Sequence, residues 1–521
     1  MGTVMRSKPV VYSLGVITAF LAALVWLRPN EGTAQAAPTT APIAKHATPA
    51  ATVLDSIRTA EKITDPMQRC VAIPAPRDFH WPKETTNAFC ADELTPTLTW
   101  DEFKNAIDDG KTAEIDARLD ALVEGYFSGR VPEGALRHAY HDSFWGSSAE
   151  RKRLIDQWHT KAPASAHALA ARGMWWIANA EQARGEKLIG DTPEKDVRKM
   201  DNALTNGKRD LQKAIALNPR IMPAYAALIF AAKFDADNAL ADNMMQKANE
   251  IDPANFYSRA ALAYKLRPQW GGSFEAMDKV AADAEQYVSK NPRLVNLKAI
   301  ALAERGMTAY WAHDYPEALK QFDKGLAFGP EWFYLNVGRY AASTSGDEAQ
   351  AVELMTQMLR FSPHASETRR QRAQALVKLG REDWAQEELD DVLRVDPRDA
   401  AAIASYADVL IHRNDFPGAE LKLKQLIAAN PNDRWANVTL AWLYSKRMHR
   451  FDDAKAMLDE MQKKEPEAGD LWLMRVQLLD SSGGPGMREA IEGFLRYADA
   501  RSKEQRDTIP IAKQWLASHP K

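Results

Sequence analysis

His138, His141 and Asp142 form the densest titratable cluster of the chain, in Arg137-His138-Ala139-Tyr140-His141-Asp142-Ser143-Phe144-Trp145. Three residues apart on a helix, the two imidazoles share one face, and a neighbouring carboxylate could orient one of them for acid–base work or metal binding. Two imidazoles are too few for a closed zinc site, so a third ligand would have to come from elsewhere, such as His159 or His167. The competing reading is a packed amphipathic helix with hydrogen-bonded histidines. His-Glu-x-x-His, Gly-x-Ser-x-Gly, phosphate-loop and calcium-loop motifs are all absent from the sequence. The chain therefore reads as a non-enzyme, with no cofactor and no assigned metal; His138, His141 and Asp142 are its weak catalytic candidates.

Cys70 and Cys90 are the only cysteines. In an oxidising setting they have one possible pairing, and a disulfide closing this interval is worth about 3 kcal/mol by loop-closure arithmetic. A metal pair or a reactive thiol is the alternative, but neither has an accompanying Cys or a spaced His cluster. Pro66, Pro74, Pro76 and Pro82 exclude a long helix here, so 61–95 is expected to be irregular chain in need of a staple.

The elements that must position these residues are set by a proline ruler. Pro219, Pro253, Pro292, Pro330, Pro363, Pro397, Pro431 and Pro466 follow one another at intervals of 34, 39, 38, 33, 34, 34 and 35 residues. That is the period of a stacked helical hairpin, and an array escapes the size limit that makes a single core improbable for 521 residues. Twelve residues before successive prolines lie Ala241, Ala318, Ala351, Ala385 and Ala419, and eight before lie Leu211, Met245, Phe322, Met355, Leu389 and Leu423. A small and a large apolar phase four residues apart share one face of a second helix, which the proline ends. First helices carry Tyr406, Ala407 and Leu410, then Leu440, Ala441 and Tyr444; Ala490 and Phe494 continue the second-helix phase, and Glu504 to Ser518 reads as a closing helix. Before the array, Trp100 to Val123, Glu150 to His159 and Ala164 to Glu181 are helical by periodicity.

Arg6 and Lys8 precede an uncharged apolar run from Pro9 to Leu27, about 27 Å long as a helix and able to cross a bilayer. Trp26 and Arg28 suit an interfacial anchor, while Ala34-Gln35-Ala36 offers a signal-peptidase site. Both readings export everything downstream, as a single-pass inner-membrane protein with a periplasmic bulk or as a periplasmic protein cleaved after Ala36. An Ala/Pro/Thr-rich stretch follows as a disordered tether. With a net charge of −3 and pI near 6.5, nucleic acid is not an expected partner.

Asp415-Phe416-Pro417-Gly418-Ala419, His313-Asp314-Tyr315-Pro316-Glu317-Ala318, Asp396-Pro397 and Asn430-Pro431 resemble the tetratricopeptide repeat family over about residues 200–500. Trp472 fits the family's first-helix aromatic, which the other repeats mostly lack. Trp158, Pro163, Ser165, Ala171-Arg172-Gly173 and Gln269-Trp270-Gly271-Gly272-Ser273 resemble the bacterial domain-of-unknown-function family 4034 over about 95–290, which implies no activity. The repeat resemblance implies an all-α, right-handed superhelical solenoid of about nine hairpins with a C-terminal capping helix. Expected domains are 1–30 anchor or signal, 31–60 linker, 61–95 disulfide segment, 96–206 helical domain, 207–502 array and 503–521 cap. It also implies that first helices line a concave groove, which would present Tyr257, Tyr264, Arg267, Tyr334, Arg370, Gln374, Asp408, His412, Trp435, Trp442, Lys446 and Met474. Trp270, in a loop insertion, either joins them as an anchor or folds back over the neighbouring hairpin. The expected function is an envelope-tethered scaffold that grips a protein or peptide in that groove. The rivals are a periplasmic immunity or inhibitor protein, and an enzyme or metal module in 94–206 with the repeats as substrate receptor.

Overall fold

The computed structural model describes residues 50–520 except 186–188 and, between 331 and 345, all but 335, 338, 339, 342 and 343. The apolar run, the possible cleavage site at Ala36, most of the linker and Tyr334 lie outside the described residues. The protein is all-helical, and its helices form two compact units, one up to Pro363 and one from His364.

The linker expected over 31–60 ends earlier, because α1 (Ala50–Glu61) is a helix. Its Val53, Leu54, Ile57 and Ala60 recur on one face and are all buried. The irregular chain expected over 61–95 holds two further helices, α2 (Pro66–Ala72) and α3 (Lys83–Leu94). Pro66 opens α2 at a position that needs no N–H, and the Asp65 carboxylate accepts a hydrogen bond from the Gln68 amide at 2.7 Å. Cys70 on α2 and Cys90 on α3 are buried and joined by a disulfide, with Cα atoms 5.9 Å apart.

A helical domain follows. The single helix expected from Trp100 is broken into α4 (Trp100–Asp108) and α5 (Thr112–Phe127) at Gly110, whose φ of 77° a side chain would resist. Next come α6 (Glu133–Phe144), α7 (Ala149–Lys161), α8 (Ala166–Arg184) and α9 (Glu194–Leu217). Phe103, Phe144 and Trp158 meet at the centre of a core that runs continuously into the first repeats.

The array of the first unit continues with α10 (Met222–Ala231), α11 (Asn238–Ile251), α12 (Phe256–Lys265), α13 (Phe274–Ala284), α14 (Asn296–Trp311), α15 (Tyr315–Leu326) and α16 (Glu348–Phe361). The second unit contains α17 (Ser366–Lys378), α18 (Glu382–Val395), α19 (Ala400–His412), α20 (Phe416–Ala429), α21 (Arg434–Lys446), α22 (Phe451–Lys464), α23 (Gly469–Ser482), α24 (Met487–Tyr497) and the closing α25 (Lys503–Ser518). Every alanine of the small phase is fully buried, and every residue of the large phase is buried. The turn inside a hairpin recurs too: Ala236, His313, Gly346 and Asn414 adopt positive φ. The aspartates that follow them, Asp237, Asp314, Asp347 and Asp415, each cap the second helix by accepting a backbone N–H three residues on. One long interval is absorbed by a short 3-10 turn, Pro268–Trp270, and the next accommodates the sixteen-residue α14.

Residues 70–94 then cross the hairpins between Arg293 and Phe361 as a strap, broadly against the chain order. Beginning at its C-terminal end, Asp92 pairs with Arg293, beside Pro292, at 2.7 Å. Phe89 packs against Gly329, where an added Cβ would come within 2.8 Å of its ring, and the Trp81 indole donates to the Leu326 carbonyl at 2.5 Å. Arg77 pairs with Asp347 at 2.7 Å and Glu353 at 2.9 Å. Finally the carbonyls of Pro74 and Cys70 accept from Gln357 at 2.8 Å and Arg360 at 2.7 Å, just before Pro363. At the other end the strap touches α6 through backbone: a Cβ on Gly134 would stand 2.2 Å from the Asp92 carbonyl oxygen. Gly134→Ala is accordingly expected to push α3 off α6 and destabilise the first unit by about 1–3 kcal/mol. An unchanged thermal midpoint would remove the close approach as a structural requirement.

Candidate functional site

The structure brings His138, His141 and Asp142 together, with a partner the sequence did not suggest. His138 Nδ1 lies 3.0 Å from Asp142 Oδ2, and its Nε2 lies 3.1 Å from Glu93 Oε2 on the strap. His141 Nδ1 lies 3.0 Å from the other Asp142 oxygen, and its ring stacks on Trp145. One carboxylate therefore orients both imidazoles. Neither His159 nor His167 completes a ligand set: His167 is buried between the Tyr140 hydroxyl and Asp120, 2.8 Å away. Among the described residues no group of three or more His, Cys, Asp or Glu could hold a metal ion.

Electrostatics separate the two histidines. Burial would pull His138 down, but Glu93 and Asp142, on either side of the ring, outweigh it and raise its pKa to about 9. Burial and the Arg137 charge press His141 down to about 4, so it is neutral at pH 7. Burial would raise Glu93, yet His138, Arg293 and Arg137 bring it to about 2. His138 is thus an imidazolium clamped between two carboxylates, with both nitrogens engaged. This arrangement joins α3 to α6 and leaves no ring nitrogen of His138 to abstract a proton.

Arg293 extends the same network. Besides Asp92 it meets Glu93 at 3.4 Å and donates to the Tyr257 hydroxyl at 2.9 Å, with its guanidinium 4.6 Å from the centres of the Phe89 and Phe256 rings. Beside it, buried Glu133 accepts the amides of Phe256 and Tyr257, each at 2.9 Å, and the Asn291 side chain at 3.0 Å. Burial and the Asp92 carboxylate push Glu133 up to about 8.

These contacts correct part of the expected groove. Tyr257 belongs to the Arg293 network, because the charged turn and the strap converge on its hydroxyl. Arg267 is buried and paired with Glu304, and Tyr264 is half-buried. Trp270 folds back: its ring stands edge-on to Phe234 at 5.9 Å and lies near the Lys233 ammonium at 5.3 Å. Lys233 is itself buried among Phe230, Phe234 and Glu181, and burial lowers its pKa to about 8.

In the second unit the expected positions remain on accessible first-helix surface. Trp435 is 41% exposed in the first turn of α21. Trp442, two turns on, is half-buried with the Arg447 guanidinium 5.4 Å from its ring centre. Lys446 continues the stripe and donates to the Gln477 carbonyl at 3.1 Å and the Ser481 hydroxyl at 3.0 Å on α23, the helix that also carries half-buried Met474. On α17 and α19, Arg370 pairs with Glu367, Gln374 reaches the Ser405 hydroxyl at 3.4 Å, and His412 Nδ1 lies 2.9 Å from the Asp408 carbonyl.

Glu93, Glu133 and Arg293 were missed from sequence. The available signal was the Pro-Arg pair at Pro219-Arg220, Pro292-Arg293 and Pro397-Arg398. Arg220 also reaches back to the N-terminal domain, pairing with Glu124.

Two stretches, 343–409 and 410–478, match the tetratricopeptide repeat family. The resemblance to family 4034 is not shown by these matches. No curated protein matches the chain. Among solved structures, a tetratricopeptide repeat protein from Parabacteroides merdae ATCC 43184 is similar at 18% identity over 53% of this chain and 97% of that one, with a TM-score of 0.34. The Cut9-Hcn1 hetero-tetramer of APC/C is similar at 14% identity over 89% and 93%, with a TM-score of 0.32. The P58(IPK) TPR domain is similar at 14% identity over 72% and 94%, with a TM-score of 0.24.

Because the folded-state pKa values of His138 and Glu133 lie above the ordinary 6.5 and 4.5, their contributions are fully present below those values. They are lost as pH rises through about 9 and about 8 respectively. The first unit should therefore lose stability from roughly pH 4.5 up to pH 9, and His138→Gln should flatten the part of that profile above about pH 6.5. An unaltered profile in the variant would refute the clamp. Arg293→Ala, which leaves Asp92 buried without its cation, should cost about 3–5 kcal/mol in denaturant unfolding of the first unit.

Proposed function

We propose that this chain is a protein-binding helical scaffold whose recognition surface is the first-helix stripe of the second unit. Repeat arrays of this kind expose extended surfaces on which successive helices present side chains at a fixed phase. The observation that carries the reading is Trp435, 41% exposed, with Trp442 seven residues later on the same stripe. An exposed indole costs solvation and contributes little to a stable monomer, whereas tryptophan and arginine are the side chains that carry most energy in protein interfaces. Trp442 under Arg447, Lys446 bridging to α23 and Met474 beyond it extend that surface with an apolar floor and polar edges.

In this reading binding is noncovalent: the indoles bury against an extended peptide or a helix of the partner, and the polar side chains set register. The apolar run from Pro9 to Leu27 and the Ala/Pro/Thr stretch after it support an envelope scaffold in this reading, tethered to the inner membrane or released after Ala36, with its bulk in the periplasm. This localisation is supported by the sequence pattern alone. Among the described residues no helix is long and apolar enough to cross a membrane.

A photo-crosslinking residue placed at Trp435, Trp442 or Met474 in the full chain should capture one partner reproducibly in cells, while the same residue at exposed Leu217 should not. Against that partner once purified, Trp435→Ala with Trp442→Ala should weaken binding by at least about thirtyfold, matching a loss of about 2 kcal/mol. Equal affinity in a folded double variant would rule out this stripe as the binding surface.

A further inference from the structure

The strap holds the array at two ends that differ in character. At one end the Cys70 and Pro74 carbonyls and the Arg77 side chain engage α16 and its capping residue, through Arg360, Gln357, Glu353 and the cap Asp347. At the other end α3 carries Phe89, Asp92 and Glu93 against Arg293 and His138, and its one aromatic contact with α16 among the described residues is Phe89 beside Phe361, ring centres 6.3 Å apart. Cys70 belongs to the first end and Cys90 to the second, so the disulfide is a covalent short cut between them. The remaining connection is a proline-interrupted stretch containing Pro74, Pro76 and Pro82.

The covered helix is unusual in one respect. Residues Ala351 to Arg360 of α16 are buried on every face, yet Glu353, Thr356, Gln357 and Arg360 are polar. A helix permanently enclosed would be expected to be apolar all round, whereas a helix that meets water would keep a polar face. Glu353, Gln357 and Arg360 would each be satisfied by water or by the groups of another polar segment once the strap is gone.

We infer that the Cys70–Cys90 disulfide is a latch on the strap: closed, it ties α16 to the Arg293 turn, and opened by a dithiol, it lets α1 and α2 lift from α16 while α3 stays on Arg293. In that step the sulfur–sulfur bond breaks and two electrons and two protons pass from the dithiol to Cys70 and Cys90. The dithiol is oxidised to its cyclic disulfide, and two thiols remain on the protein. Both cysteines are buried, so the reductant reaches them only when the strap opens transiently. Removing the cross-link then favours the open form by restoring the entropy of the loop it closed.

Hydrogen exchange followed by mass spectrometry on the full chain tests this, with oxidised protein, protein reduced in place with dithiothreitol, and the Cys70→Ser/Cys90→Ser variant. Reduction should speed exchange in α1, α2 and α16 by about tenfold or more, with α3 and the second unit, α17 to α25, unchanged. Unchanged α16 exchange, with both thiols shown by labelling to be free, would overturn the latch. So would loss of protection throughout the chain, which would make the disulfide a global requirement for folding. Reduction in place keeps the test valid if the double variant fails to accumulate.

Discussion

A buried guanidinium governs the architecture of the first unit. Arg293 sits in an inter-repeat turn, where it neutralises Asp92, approaches Glu93, donates to Tyr257 and lies near two phenylalanine rings. Taking such a charge out of water is costly unless it is paired and hydrogen-bonded, and its partners come from two separate parts of the chain, 89–93 and 256–257. Correct docking of the strap on the turn is therefore a condition for burying it. The same condition explains why His138 is charged: Glu93, held in place beside Arg293, supplies the carboxylate that opposes the desolvation of the imidazole.

The strap crosses the hairpins from Arg293 to α16, where it meets Arg360 and Phe361, close to where the first unit ends at Pro363. Within the first unit, successive turns are cross-linked by side chains from the N-terminal segment as well as by hairpin packing. The second unit is held by the repeat phases themselves, with Ala385, Ala419, Leu389 and Leu423 all buried. The aromatic groove candidates are used differently in the two. Tyr257 and Trp270 are absorbed into internal contacts in the first, while Trp435 keeps substantial exposure in the second. Trp311 of the first unit is 44% exposed, so exposure alone does not choose between the units; the pairing of Trp435 with Trp442 seven residues on along one helix is what favours the second as the recognition surface.

Much of the repeat was legible because it is local. A proline that cannot continue a helix, an alanine where two helices approach and an aspartate that caps the next helix each act within a few residues, and each recurs at the period of the array. The N-terminal domain was legible as helices but not at its breaks: Gly110 splits α4 from α5 through its backbone conformation, a feature that hydrophobic periodicity does not register. The strap was hidden for the opposite reason. Asp92 to Arg293 and Cys70 to Arg360 join positions 201 and 290 residues apart, and no local preference marks them.

The sequence by itself determined a helical repeat architecture, the phase of its packed faces and the candidate side chains of the first helices, because helix periodicity and chain-breaking residues encode those properties locally. Tertiary structure alone decided which candidates are free to meet a partner. It turned His138, His141 and Asp142 into an ion-paired junction and drew Tyr257 into the Arg293 network, while leaving Trp435 accessible. The physical reason is that burial and charge pairing depend on what the rest of the chain brings to a site, and here the strap brings it, from 45 residues away at His138 and 201 at Arg293.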